Sequence, residues 1–179
     1  RAYVLSRLLW NPKADVSQAL NEFHETYYGT AAATMRAYFD LVQDLVRFAP
    51  AGEGQHWGCC RSPLFSAARL ARAKELFGQA LSSAEDETIR KHVSLAQLSI
   101  RYMEMRREQQ FVVRDARYEP RGLEFLRREW PVFVDDARRL GATRVGEEAD
   151  LGQGDAAFRE SLKSHPVATL ANASLRLQV

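Results

Sequence analysis

Apolar residues recur at helical spacing along the first part of the chain. Residues 2–9 predict a short apolar helix, which ends at Asn11 because the residue before a proline is pushed out of the helical region. Asp15 is a suitable N-cap for a second helix that runs to about Tyr28, and Gly29 is its natural stop. One apolar stripe is predicted on this second helix: Val16, Leu20, Phe23 and Tyr27.

The middle of the chain predicts three further helices. A third helix covers about residues 30–49, and the irregular segment 50–61 follows it. Ser62-Pro63 predicts the start of a fourth helix that reaches about Leu81. The serine and acidic run 82–86 offers capping boxes for a long fifth helix, predicted to extend to about Arg117. Because this helix is apolar around much of its circumference, we expect it to be central in a bundle.

The last third adds two helices and a change of period. Pro120 opens a sixth helix, in which Pro131 removes a hydrogen bond and predicts a kink, and Gly141 ends it. Asp155 is predicted to start a last short helix that stops before Pro166. Residues 173–179 alternate between apolar and polar, which is typical of a strand. The predicted inward residues of the sixth helix are Leu123, Leu126, Trp130, Phe133, Ala137 and Leu140.

Together these patterns predict an all-α fold, an irregular helical bundle of about six helices. The bundle domain is predicted to cover residues 1–166, and residues 167–179 form a tail or the start of a β element. The chain is already inside an apolar pattern at Tyr3, with no initiator methionine or signal peptide before it. We therefore expect the chain to be a C-terminal piece of a larger protein.

Charge and hydropathy limit the classes of partner. The 179 residues include 25 basic and 23 acidic side chains, so the net charge is only +2, whereas nucleic-acid binders usually concentrate a basic excess on one face. The basic residues between 106 and 117 alternate with acidic ones, which predicts a solvated helix face with salt bridges. No apolar run reaches the roughly 18 residues of a membrane span. We predict neither a nucleic acid nor a membrane as partner.

One cluster of metal-type ligands lies in the irregular segment. His56, Cys59 and Cys60 supply three donors, but a zinc site needs four donors, or three and a water, at characteristic spacings. The other histidines have no matching spacing. We predict no metal and no cofactor, and a loop that packs around Trp57. A small metal-dependent enzyme that uses these three residues is one alternative function.

The carboxylates do not form a catalytic pattern. Glycosidases need two carboxylates that face each other across a sugar, whereas adjacent residues such as Asp135 and Asp136 diverge on a helix. The glycines at 52 and 54 lack the lysine and the preceding strand of a phosphate-binding loop. His92 lies between two apolar stripes and is expected to be a hydrogen-bonded core residue. We predict no catalytic residue in this chain.

Two segments resemble a known family. Residues 3–16 read YVLSRLLWNPKADV, and Tyr27-Tyr28-Gly29 ends the helix that follows. This segment resembles the helical region after the catalytic barrel in the bacterial family called domain of unknown function 4838. It is similar, too, to the entry into the post-catalytic domain of alpha-glucuronidases. Residues 139–147, RLGATRVGE, resemble a later segment of the same family.

The resemblance implies a glycoside hydrolase whose catalytic acids lie on a barrel upstream, so that this domain supports or borders the active site. It implies a secreted or periplasmic protein, an oligosaccharide at the domain junction, and possible contacts to it from Trp10 and Tyr28. Trp57, in a loop rich in glycine and polar residues, is the best candidate for stacking on a sugar, and the alternative is that it anchors this loop to the bundle. Trp10 is the poorer one, because it closes an apolar helix and is expected to pack beneath the second helix. Tyr27 is expected to pack in the core.

The rival hypothesis is a stand-alone helical module that binds another protein through an exposed apolar stripe. A homodimer is a further partner that both hypotheses allow.

Overall fold

The computed structural model describes residues 2–47, 66–115, 117–145, 149–163 and 165–166. It divides into two compact units, Arg1–Ile100 and Arg101–Val179, and the boundary falls within one long helix. The described residues are mostly helical, which confirms the predicted fold class. The helices are α1 Ala2–Trp10, α2 Val16–Tyr28, a 3-10 turn Gly29–Ala31, α3 Ala32–Arg47, α4 Ala67–Ser83, α5 Glu87–Glu108, α6 Leu123–Leu140 and α7 Leu151–Ser161. The strands are β1 Phe111–Arg114, β2 Arg117–Pro120, β3 Arg144–Val145, β4 Ala149–Asp150 and β5 His165–Pro166.

Both ends of α2 are set by the residues that the sequence indicates. The Asp15 side chain accepts hydrogen bonds from the backbone N–H groups of Ser17 and Gln18, as an N-cap does. At the other end Gly29 has φ +48° and ψ −121°, a conformation that a side chain strongly disfavours. A Cβ atom at Gly29 would also lie 2.5 Å from Cδ1 of Ile89. The backbone conformation therefore favours glycine at this position, and the Ile89 side chain would have to shift to admit a Cβ atom.

The core of the first unit is built by α4 and α5 with part of α3. Phe77 of α4 is fully buried, and the ring of Tyr38 packs on it at 4.6 Å between centroids. Val93 and Ile100 lie seven residues apart on one face of α5, and each side chain is at most 1% exposed. The other buried residues of α4 recur every three or four positions: Leu70, Ala73, Leu76 and Ala80.

Helix α5 is shorter than predicted. It ends at Glu108, not at Arg117, because the aromatic and β-branched segment 111–113 forms the first strand of a hairpin. Strands β1 and β2 are antiparallel, with Phe111 opposite Pro120, and β5 pairs with the other side of β2. The predicted solvated helix face is wrong for residues 111–120, where Arg114 and Glu119 instead pair between strands at 3.8 Å.

Helix α6 supplies the core of the second unit. Its predicted inward residues are buried from Leu126 to Leu140, and Leu123 is half-buried. The predicted stop at Gly141 is confirmed: φ is +84°, and Gly141 and Ala142 donate to the carbonyls of Arg138 and Ala137. This pairing satisfies carbonyls that the end of the helix leaves free.

Two predicted helix starts within the described residues are wrong. Helix α6 begins at Leu123 and not at Pro120, because Pro120 is the last residue of β2 and Gly122 stands at the N-cap. Helix α7 begins at Leu151, because Asp150 and Gln153 form a reciprocal capping box ahead of the predicted cap at Asp155. In the described residues helix α4 covers Ala67–Ser83, and the Ser66 side chain accepts a hydrogen bond from the N–H of Arg69. Ser62-Pro63, the loop 50–61 and the tail 167–179 lie outside the described residues, so the predicted domain bounds stay a prediction.

Candidate functional site

Helix α1 carries an uncovered apolar surface. Side chains of Leu5, Leu9 and Trp10 are 58%, 85% and 93% exposed, and no residue of α1 is buried. Val16, at the start of α2, is exposed as well. The expectation that Trp10 packs beneath α2 is wrong, because the face of α1 that meets α2 is the one with Tyr3, whose ring contacts Phe23. We call Leu5, Leu9, Trp10 and Val16 the α1 patch.

A groove continues from the α1 patch between α1, α2 and α3. It has a volume of about 550 Å³, within the range of ligand and peptide sites. Its lining divides by chemistry into apolar residues, called the apolar wall, and polar residues, called the polar wall; Leu5 and Val16 belong to the α1 patch as well. The apolar wall consists of Val4, Leu5, Val16, Leu20 and Phe39, and the polar wall of Ser17, Arg36, Asp40, Gln43 and Asp44.

The polar wall is partly preorganised. The Arg36 side chain donates to Oδ1 of Asp40 at 3.1 Å and to Oδ1 of Asn21 at 2.6 Å, and its guanidinium lies 5.8 Å from the centre of the Phe39 ring. Asp44 lies one turn further along α3 and is exposed. Within the described residues Asp44 enters no ion pair, so the wall carries one uncompensated negative charge.

Tyr28 lies in a different environment from Trp10. It is half-buried beside a cavity of about 170 Å³ that Tyr3 and His24 also line. Burial, reinforced by the neighbouring Tyr27 and Tyr38, raises the pKa of Tyr28 to about 12, so its hydroxyl stays protonated. The structure therefore does not place Tyr28 and Trp10 in one site. Both remain predicted sugar contacts, and Trp57 lies outside the described residues.

Tyr27 and His92 form a stacked pair, and both are half-buried. Their rings are 3.8 Å apart at 7°, and Nδ1 of His92 lies 2.7 Å from the Tyr27 carbonyl oxygen. Since a carbonyl can only accept, Nδ1 carries the proton and donates. The prediction that His92 is hydrogen-bonded is confirmed, and its partner is a backbone carbonyl of α2.

Two carboxylates of the second unit are held by cations. Hydrogen bonds from Arg139, the larger effect, and from Arg101 lower the pKa of Asp136. Burial opposes the ionisation of Asp155, but hydrogen bonds from the Trp130 indole and from Arg159 outweigh it and lower the pKa of Asp155. Both groups therefore stay ionised and act as acceptors.

A search of the described ranges finds no group of three or more potential metal ligands among His, Cys, Asp and Glu. His56, Cys59 and Cys60 lie outside those ranges. The helices of the described residues include none that is long and apolar enough to cross a membrane.

The groove is the feature that sequence reasoning missed. The pattern of α3 places Arg36, Asp40, Gln43 and Asp44 outside its apolar stripe, but periodicity does not tell that an apolar neighbour faces them across a gap. The sequence of α1 could have indicated the groove, because this helix is apolar on nearly every side. A single packing partner, α2, cannot cover such a helix.

Comparison with known proteins is informative only for the first three helices. No curated protein and no solved structure matches the chain. Residues 1–40 match the model of one family, the Domain of unknown function (DUF4838), and this match covers α1, α2 and the first half of α3. The α1 patch and most of the groove lining lie within the matched residues. Over residues 1–40 the chain is similar to that domain family.

Proposed function

We propose that this chain is a non-catalytic helical domain on the C-terminal side of a glycoside hydrolase, where it packs against the catalytic barrel and borders its active site. The observation that carries the proposal is the α1 patch, because exposed apolar surface of this kind marks contact with another folded surface. The family match over residues 1–40 falls on the same helix.

Two carboxylates of the second unit, Asp136 and Asp155, support a non-catalytic role. A glycosidase acid needs a raised pKa so that it is protonated when the sugar bond breaks. Asp136 and Asp155 have lowered pKa values and are hydrogen-bonded to arginines. Their chemistry suits the packing of α6 and α7, not proton donation.

The catalytic part of the proposal is tested with the isolated chain. Assays of the 179-residue chain with aryl glycosides and aryl glucuronides should give no turnover above buffer. Turnover that one carboxylate substitution abolishes would contradict it.

Packing on a barrel is tested by calorimetry of the whole protein that contains this chain. The domain and the barrel should unfold in one cooperative transition, and Leu9→Ser with Trp10→Ala should split it into two, because the apolar contact is lost. The matched control is Val132→Ser, an exposed apolar residue of α6. Equal effects of the control and the α1 variants would refute packing through this patch.

The alternative is a stand-alone helical module that binds another protein through the same patch. It is favoured if the whole protein has no barrel, or if the α1 variants leave unfolding unchanged but abolish association with a partner protein. A homodimer through the patch would instead appear as concentration-dependent sedimentation of the wild type that Trp10→Ala abolishes.

A further inference from the structure

We infer that the groove between α1, α2 and α3 binds an amphipathic helix of the partner, with leucine-type side chains on one face and a lysine or arginine at its flank. The inference rests on the proposed packing function and names the element that docks. The apolar wall favours the leucine face of the partner helix. Asp44, on the polar wall, favours the basic side chain at its flank.

The shape and lining of the groove favour a helix over a flat surface. Its two sides come from helices, α1 and α3, with α2 between them, and the apolar residues come from all three. An amphipathic helix fills such a groove with anchors spaced three and four residues apart. The continuous α1 patch extends the apolar surface beyond the groove through Leu9 and Trp10.

The charge of the polar wall determines which charged side chain the partner helix carries at its flank. Arg36 is engaged by Asp40 and Asn21, so the cation of the wall is already neutralised. Asp44 then leaves one negative charge on the wall, and a basic side chain opposite it forms an ion pair at the rim of an apolar contact. A partner helix with an acidic flank would meet repulsion there.

The experiment uses two synthetic peptides of about 18 residues, long enough to form a helix. Both have leucines at helical spacing, and they differ at one flanking position, which is lysine in one peptide and glutamate in the other. Binding of each labelled peptide to the 179-residue chain is measured by fluorescence anisotropy. The lysine peptide should bind more tightly by about two- to fivefold, the range expected for one exposed ion pair.

Two variants in the groove, each with a matched control outside it, separate local contact from general attraction. Asp44→Lys should abolish or invert the preference for the lysine peptide. Glu85→Lys makes the same change of net charge at an exposed site outside the groove and should leave the preference in place. Leu5→Ser should weaken both peptides, whereas Leu95→Ser, at an exposed position of α5, should not.

The inference is overturned if Glu85→Lys acts as strongly as Asp44→Lys, or if Leu5→Ser leaves both peptides unaffected. It is also overturned if the two peptides bind equally. In these cases the calorimetric coupling of the domain to the barrel would still test the proposed function by itself, because that measurement depends on Leu9 and Trp10 and not on the charge of Asp44.

Discussion

Replacement of Asp155 by asparagine should destabilise the second unit in a pH-dependent manner. Oδ1 of Asp155 accepts from Nε1 of Trp130 and from Nε of Arg159, each at 2.7 Å. Trp130 is only 1% exposed, and its ring stacks on Phe158 with centroids 3.6 Å apart. The carboxylate therefore satisfies an indole N–H that lies next to the most tightly packed aromatic pair of the unit.

Asparagine keeps the shape and one acceptor oxygen but removes the charge. A hydrogen bond to a charged group contributes about 1.5–3 kcal/mol, and a neutral one about 0.5–1.5 kcal/mol. Asp155→Asn should therefore lower the free energy of unfolding by about 1–2 kcal/mol at pH 7. Asp155→Ala should lower it further, because the Trp130 indole loses its partner.

The sign of the pH dependence follows from the lowered pKa. A carboxyl group whose pKa is lower in the folded state stabilises the fold above its unfolded pKa, near 4, and that stabilisation is lost as the pH falls through the folded pKa. Protonated aspartic acid and asparagine are both neutral. The difference between wild type and Asp155→Asn should therefore be full at pH 7 and shrink below about pH 4.

Urea denaturation at several pH values, followed by tryptophan fluorescence and by circular dichroism, measures this difference. The matched control is Asp135→Asn on the same unit, whose side chain is 80% exposed and should change stability by less than about 0.5 kcal/mol. A difference for Asp155→Asn that stays constant between pH 7 and pH 3 would refute the assignment of the stabilisation to its charge.

Three further predictions concern the core, the helix ends and the sugar contact. Ile100→Ala should lower the free energy of unfolding by about 2–5 kcal/mol because it opens a cavity beneath α5, whereas Ser94→Ala should lower it by less than about 0.5 kcal/mol. Equal shifts of the urea midpoint for the two variants would refute the assigned faces. Gly141→Ala should cost about 1–2 kcal/mol from its positive φ alone, and Gly29→Ala more, because a Cβ there also meets a side chain; thermal melts that rank them in reverse would contradict this. Trp57→Ala in the whole protein should weaken oligosaccharide binding, measured by titration calorimetry, with a nearly unchanged melting temperature, and a large loss of stability with unaltered binding would make Trp57 a structural anchor.

The local signals of the sequence were accurate where a short range of residues decides the outcome. Asp15 and Gly29 bound α2 because a cap acts on backbone groups only two or three residues away. Gly141 ends α6 for the same reason. Signals that compete with a nearby alternative were less reliable: Asp155 could cap a helix, but Asp150 lies earlier and has its reciprocal partner in Gln153.

The candidate site shows the limit of one-dimensional patterns. Trp10 was expected to be covered because it ends an apolar helix, yet it is the most exposed of the large apolar side chains described. Tyr28, equally aromatic, is half-buried beside His24 and Tyr3. Sequence shows that both are amphipathic, but the direction in which each side chain points depends on which neighbouring helix it meets.

The sequence by itself determined the helical class, the caps of α2, the stop of α6 and the buried face of α6, because capping and periodic burial are set by residues close together in the chain. Only the tertiary structure decided that α5 ends at a hairpin, that Trp130 and Asp155 meet, and that three helices leave a groove in which Asp44 makes no ion pair with the described residues. These features join residues that lie far apart in sequence. Their formation depends on which surfaces pack together, and the pattern of residues within one segment does not specify its packing partner.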